Sequence, residues 1–325
     1  MKQACQEIKS ALKNAKSALI ATHVDPDGDA IGSMLALGMI LEQLGLATYY
    51  YSQDAVPKIY RFLAGAEKIK REIANFHHFD VACVVDASDL SRTGDKVDLK
   101  AIASKLVNID HHPDNTLFGD VNCVKKSSCV GELIYDLAGY LKIKVDKKMA
   151  DCLYTSIITD TGNFRYDNTN AKTFLIAADL IGAGVDTHEL TTHIYDNKSV
   201  QAVRITGRAL ANIKFSEDRQ VGWAVVTEAM MEEVGAKSED VVGIVDAIRS
   251  IEGVEVAIFF REEKGKVKIN FRSKDRVNVS EIARRFGGGG HFKAAGAVAS
   301  GPIGEVEHTV TRDVIKHLGA LKFLV

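Results

Sequence analysis

None of the five cysteines (Cys5, Cys83, Cys123, Cys129, Cys152) forms a CxxC pair. An odd number, with no targeting segment ahead of it, points to reduced thiols and a cytoplasmic protein. No apolar run approaches the length of a membrane span, which excludes a helical membrane protein. The formal net charge is only −2. The chain therefore lacks the broad basic field that long nucleic acid needs, though a local basic pocket could still hold a small or short anion. There is no internal repeat and no low-complexity tract. The N-terminal stretch MKQACQEIKSALKNAK reads as an amphipathic helix rather than a targeting peptide. What remains is an ordinary globular composition, 46% hydrophobic and 26% charged over 325 residues. That length suggests two domains.

The most informative stretch is ATHVDPDGDAIGS, Ala21–Ser33, which holds His23, Asp25, Asp27 and Asp29. A short apolar segment, Ser17–Ala21, precedes it and reads as a strand. Apolar residues at helical spacing over Ile31–Gly45 follow it. The acids therefore occupy a strand-to-helix loop, and in open α/β sheets such loops lie at the carboxyl ends of strands, where ligands bind. Clustered carboxylates repel one another unless a divalent cation lies among them. A solvated acidic turn, with Asp29 merely capping the helix, is the competing reading.

The same arrangement recurs. Leu46–Tyr51 reads as a second strand and Val56–Leu63 as a turn and short helix. The near-continuous apolar run Phe79–Ala87 looks like a strand buried on both faces, and it contains Asp86 at its end. Leu106–Ile109 runs directly into Asp110-His111-His112. A helix over Lys147–Thr159 leads into Asp160, and another spans Ala171–Gly184. Two histidine pairs do not belong to the pattern. His77-His78 lies in a polar stretch before a strand and is assigned no role. His188 and His193 resemble a zinc-protease pair but are one residue too far apart, about 140° around a helix at about 100° per residue, to share a metal.

Residues 187–213 are polar and helical in pattern and are expected to link two domains, 1–186 and 214–325. The second domain begins with strands at Val221–Val226 and Val254–Phe260. KVKINFRS, Lys266–Ser273, alternates, with Val267, Ile269 and Phe271 on one side and Lys268, Asn270 and Arg272 on the other. A helix over Val279–Phe286 ends in four glycines, Gly287–Gly290, and His291. Packing volume does not account for such a run. It suits close approach of backbone N–H groups to an anion, although it matches neither standard phosphate-binding glycine motif and would also serve as a hinge.

Taken together, HVDPDGDAIGS, Asp86, Asp110-His111-His112 and TDTGNF resemble the four motifs of the DHH phosphoesterase superfamily. Arg272-Ser273 and GGGGH resemble its C-terminal DHHA1 domain. The resemblance covers nearly the whole chain, and the size is similar to the stand-alone nano-RNase group. It implies an α/β fold, with a mainly parallel sheet flanked by helices in the DHH domain and a smaller α/β DHHA1 domain. It implies two Mn²⁺ ions, with Mg²⁺ a weaker substitute. His23, Asp27 and Asp86 would hold one ion; Asp29, Asp86, His111 and Asp160 would hold the other. Asp110 would orient His111, His112 would reach the scissile phosphate, and Asp25 would be supporting. Arg272, Ser273, Gly288, Gly289, Gly290 and His291 would bind the nucleotide. The implied substrates are short oligoribonucleotides and 3′-phosphoadenosine-5′-phosphate (pAp), with no long duplex and no membrane partner; a homodimer is left open. Related readings are a phosphodiesterase for cyclic-di-AMP or its linear product pApA, a manganese pyrophosphatase and a RecJ-like exonuclease. The pyrophosphatases lack the glycine-rich run, and the RecJ-like enzymes are larger. A catalytically silent nucleotide sensor would be expected to have lost metal ligands, and here they are all present.

Overall fold

A computed structural model of the chain describes residues 1–73 and 78–321. It divides into two units, Met1–Asn197 and Lys198–Val325, each with its own six-stranded sheet.

The first unit contains α1 (Lys2–Leu12), β1 (Ser17–Ala21), α2 (Gly28–Gln43), β2 (Ala47–Tyr51), β3 (Ile69–Lys70), β4 (Val81–Val85), β5 (Leu106–Asp110), β6 (Val121–Val124), α3 (Val130–Leu141), α4 (Lys147–Asp160), α5 (Ala171–Gly182) and α6 (Thr187–Tyr195). Its strands are all parallel, in the order β3-β2-β1-β4-β5-β6. β4 and β5 are buried along their whole length, as expected of strands covered on both faces. Chain order reverses between β1 and β4, so their carboxyl ends flank the topological switch point, where open α/β sheets bind ligands.

Helix α2 starts three residues earlier than its apolar spacing suggests, because Asp27 caps it by accepting from the Ala30 N–H at 3.0 Å. Asp27, not Asp29, is thus the capping acid. α2 is buried on nearly every side, and it packs against α4 with very little space between. A Cβ on Gly32 would lie 2.3 Å from the Cys152 carbonyl oxygen, and one on Gly28 would lie 2.4 Å from the Thr159 side chain. These two glycines let the helices approach, which carries Asp29 of α2 to Ser156 of α4. The expected helix within Val56–Leu63 is a single 3-10 turn, Lys58–Tyr60.

The second unit contains α7 (Val200–Ala211), β7 (Lys214–Phe215), β8 (Val221–Val226), α8 (Glu228–Val234), α9 (Ile244–Arg249), β9 (Val256–Glu263), β10 (Lys266–Ser273), α10 (Val279–Arg285), β11 (Gly289–His291), β12 (Ala294–Ser300) and α11 (Ile303–Leu321). Its sheet order is β11-β12-β10-β9-β8-β7, antiparallel except for β8 with β9. One face buries Val267, Ile269 and Phe271 beneath apolar residues of α10 and α11. The other buries Ala257 and Phe259 beneath Ile205 of α7 and Ile248 of α9. The segment 187–213, expected to be helical, contains the two helices α6 and α7. α6 buries Leu190 and Ile194, and α7 buries Ile205 and Ala209. His193 of α6 stacks on Phe62 with ring centroids 4.4 Å apart. His77 lies outside the described residues. Among the described residues, no helix is long and apolar enough to cross a membrane.

Candidate metal centre

Three strand ends and two helices supply one cluster. β1 leads into His23 and Asp27, β4 into Asp86, and β5 into Asp110, His111 and His112. α2 provides Asp29 and α4 provides Asp160. The ligand atoms of His23, Asp27 and Asp86 lie within 4.8 Å of one another, as do those of Asp29, His111 and Asp160. Asp86 touches both groups: its Oδ2 is 3.6 Å from His23 Nε2, and its Oδ1 is 3.6 Å from His111 Nε2. His111 Nε2 is also 3.8 Å from Asp29 Oδ2 and 3.8 Å from Asp160 Oδ2. Asp86 adopts a left-handed backbone, φ 57°, which aspartate tolerates better than most residues. Asp25 is exposed, has φ 52°, and its N–H donates to Asp54 at 2.9 Å.

The two inner histidines are oriented by carbonyl groups. His23 Nδ1 is 2.7 Å from the Val24 oxygen, and His111 Nδ1 is 3.1 Å from the Ser127 oxygen. A carbonyl only accepts, so Nδ1 carries the proton and Nε2 faces the carboxylates. This is how protein scaffolds present imidazole to a metal. The expectation that Asp110 orients His111 is corrected here. Asp110 Oδ1 instead accepts from His112 Nδ1 at 2.7 Å, and its Oδ2 accepts from Asn115 Nδ2 at 2.6 Å.

Asp29 is held most firmly. Its carboxylate accepts from Ser33 Oγ (2.8 Å), Ser156 Oγ (2.6 Å), and the α3 amides of Val130 (2.8 Å) and Gly131 (3.3 Å). The N-terminal dipole of α3 favours that negative charge. Burial and the neighbouring Asp86 charge act the other way and push its pKa well up. Burial likewise raises Asp160 to about 7. Burial pushes His111 down, but Asp160, Asp29 and Asp86 outweigh it and hold the imidazole up at about 10. For His23, burial is outweighed by Asp86 and Asp27, and the result is about 9.

Five carboxylates and three imidazoles thus share one place, with Asp29, Asp86 and Asp110 buried and Asp27 exposed. Asp86 Oδ1 is buried and has no hydrogen-bond partner among the described residues. An orphaned carboxylate oxygen amid surplus negative charge is what a cation site requires. The residues fit a divalent metal held by carboxylate and imidazole donors. Ionisable residues alone do not reveal the supports: Ser33, Ser156, Asn115, the Val130 and Gly131 amides, and Asn168, which donates to the Asp160 carbonyl and to its Oδ2.

In the second unit, Arg272 lies on the polar face of β10. Its Nε is 3.4 Å from Asp246 Oδ1, and its Nη1 donates to the Phe271 carbonyl at 3.1 Å. Ser273 does not join it. The strand alternates, so Ser273 shares the buried face with Phe271 and is fully enclosed. A substrate contact through that hydroxyl is not supported.

The glycine run also has structural causes that the sequence reading did not foresee. Gly287 (φ 73°) and Gly288 close α10: their N–H groups donate to the carbonyls of Arg284 and Ala283, the pattern of a Schellman stop. A Cβ on Gly288 would lie 2.0 Å from the Gly296 oxygen, and one on Gly290 would lie 2.5 Å from the Ala294 oxygen; at Gly289 it would meet nothing within 4 Å. Gly288→Ala is therefore expected to destabilise the protein by about 1–3 kcal/mol or more, and Gly289→Ala by less than about 1 kcal/mol. Urea denaturation of both variants checks this. Equal stability of the two would return the glycines to a purely ligand-binding explanation. His291 belongs to β11, opposite Ala294.

Comparison with known proteins agrees with this architecture. Residues 17–157 match the DHH family N-terminal domain, and residues 222–313 match the DHHA1 domain. The bifunctional oligoribonuclease and PAP phosphatase NrnA of Thermus thermophilus is 35% identical, over 87% of this chain and 84% of that protein. The protein of the same name from Bacillus subtilis is 30% identical, over 86% of this chain and 88% of its own length. The crystal structure of an exopolyphosphatase-related protein from Bacteroides fragilis superposes with a TM-score of 0.91 at 27% identity, covering 99% of this chain and 98% of that one. With both domains present in order and relatives matched nearly end to end, the chain belongs to the DHH/DHHA1 phosphoesterases of the stand-alone nano-RNase type.

Proposed function

We propose that the protein is a Mn²⁺-dependent phosphoesterase that degrades short oligoribonucleotides to mononucleotides and removes the 3′-phosphate of pAp. The observation that carries this reading is the convergence of the five carboxylates and three imidazoles around the buried Asp86 Oδ1, which has no hydrogen-bond partner among the described residues. The names of the Thermus and Bacillus relatives support the substrate class.

In this reading His23, Asp27 and Asp86 hold one cation, and Asp29, Asp86, His111 and Asp160 hold a second. Bound there, such ions would neutralise phosphate oxygens and supply a nucleophilic hydroxide near neutral pH. The remaining tasks fall to the chain itself. Asn115 fixes Asp110, and Asp110 fixes the Nδ1 proton of His112. That leaves His112 Nε2 to hold or deliver a proton at the phosphate or its leaving oxygen. Burial pushes the His112 pKa down, but Asp110 outweighs it and raises it, which favours the proton-donating form. Arg272, the glycine-rich strand and His291 would grip the nucleotide.

The test is to incubate purified protein and Mn²⁺ with pAp, a diribonucleotide, a longer RNA, pApA and cyclic-di-AMP, and to identify the products. Rapid mononucleotide release from the short RNA and AMP release from pAp are expected. Turnover of cyclic-di-AMP alone would overturn the assignment. Within the same reading, Arg272→Ala is expected to lower kcat/KM for a dinucleotide by about 10- to 150-fold, the loss of one charge-assisted phosphate contact of about 1.5–3 kcal/mol. Turnover of a small generic phosphodiester should barely change. Steady-state kinetics on both substrates checks it, and equal losses would show that Arg272 supports the fold instead.

A further inference from the structure

Glu132 is a carboxylate only 1% exposed, in the first turn of α3. Burying such a charge is costly unless its oxygens are fully hydrogen-bonded. Here both are: Ser127 Oγ donates to Oε2 at 2.6 Å, and Ser128 Oγ donates to Oε1. Lys172 Nζ lies 3.9 Å from Oε2 but is closer, at 2.7 Å, to Asp136. The serine hydroxyl protons are thus directed to Glu132, and the carbonyl groups of the same two residues are used elsewhere. The Ser127 carbonyl accepts from His111 Nδ1 at 3.1 Å. The Ser128 carbonyl accepts from Asn168 Nδ2 at 2.8 Å, and that amide also reaches Asp160 Oδ2 at 3.3 Å. The next residues along, Val130 and Gly131, donate their N–H groups to Asp29.

We propose that Glu132 is a positioning residue for the metal centre: by clamping the Ser127–Ser128 turn at the start of α3, it fixes His111, Asp160 and Asp29 together. The inference rests on the metal reading of those three side chains. A residue needed only to fill this space or start the helix would not have to be charged, since an apolar side chain of similar volume avoids the desolvation cost. The carboxylate is required because only an acceptor with two equivalent oxygens satisfies both hydroxyls while leaving both carbonyls for the ligand residues. In Glu132→Gln one oxygen becomes a donor, so one hydroxyl loses its acceptor and can turn toward a carbonyl. The imidazole of His111 then loses its fixed tautomer and angle.

The experiment is Mn²⁺ titration calorimetry of metal-free protein for wild type, Glu132→Gln, Ser127→Ala, His111→Ala and the Glu132→Gln/His111→Ala double variant. Circular dichroism confirms that each is folded. Glu132→Gln is expected to weaken Mn²⁺ binding by about 10- to 100-fold, the size seen for outer-shell partners of metal ligands. Ser127→Ala, a milder change that keeps the backbone carbonyl, should weaken it in the same direction. In the double variant the Glu132 change should cost less than it does in wild type, because the part of the clamp that acts through that imidazole is already lost. Wild-type affinity in Glu132→Gln, or full additivity in the double variant, would overturn the proposal. Absence of Mn²⁺ binding by the wild type would overturn the metal reading together with it.

Discussion

Asp86→Ala is expected to be the most damaging single substitution, removing bound divalent metal and lowering turnover by far more than about 100-fold, since even outer-shell partners of metal ligands account for about 10–100-fold. The reason is its position between two groups. Its Oδ2 lies 3.6 Å from His23 and its Oδ1 lies 3.6 Å from His111, so one truncation strips an oxygen from both. The other acids touch one group each. Metal analysis of the purified variant and assay with added Mn²⁺ check the prediction, and substantial activity or wild-type metal content would contradict it. Circular dichroism of the variant separates metal loss from misfolding. Burial pushes the Asp86 pKa up, but His23, His112 and His111 outweigh it and hold the carboxylate below its usual range, so its removal takes away their shared anion.

His112→Ala should behave differently from His111→Ala. His112 is tied to Asp110 at 2.7 Å, whereas His111 Nε2 faces Asp29, Asp86 and Asp160. Loss of His112 is expected to leave the metal in place and lower kcat by about 10²–10⁴-fold, the usual contribution of a positioned acid or base. Loss of His111 is expected to lower metal content itself. Metal content measured beside kcat for the two variants separates them, and equal metal loss would show that the pair has been divided wrongly. Asp110→Asn gives a further check on the dyad, since an amide that presents its NH₂ to Nδ1 would favour the other tautomer of His112.

The clustered side chains were legible in the sequence because most of them follow a largely apolar strand or end a helix. SALIA, VACVV and LVNI announce buried strands, and the ionisable residues come directly after them. What converges on them was not legible. Strand order is a non-local property, and nothing in β1 or β4 alone states that they are neighbours. Ser33 and Ser156 look like ordinary helix residues until Gly28 and Gly32 bring α2 and α4 together around Asp29. Helix α3 was not identified from the sequence, although Val130, Leu133, Ile134 and Leu137 recur at helical spacing. It lacks a cluster of acids and histidines, so its role in holding Asp29 passes unnoticed in a search for ligands. Two errors have simpler causes. The resemblance implied that Asp110 orients His111, yet successive strand residues face opposite sides, and Asp110 meets the residue two positions on. The same period of two separates Ser273 from Arg272, so that misplacement was avoidable from KVKINFRS itself. The glycines at 287–290 illustrate the opposite limit, because backbone handedness and the approach of β12 cannot be seen before the chain is folded.

In the proposed function, the carboxylate and imidazole groups at the β1–β4 switch point hold catalytic cations. Anomalous diffraction at the manganese absorption edge, from crystals grown with Mn²⁺, tests it most directly. Two peaks are expected, one within ligand distance of His23, Asp27 and Asp86, and the other within ligand distance of Asp29, Asp86, His111 and Asp160. Manganese found only elsewhere on the protein, or no peak at this cluster at saturating Mn²⁺, would contradict it.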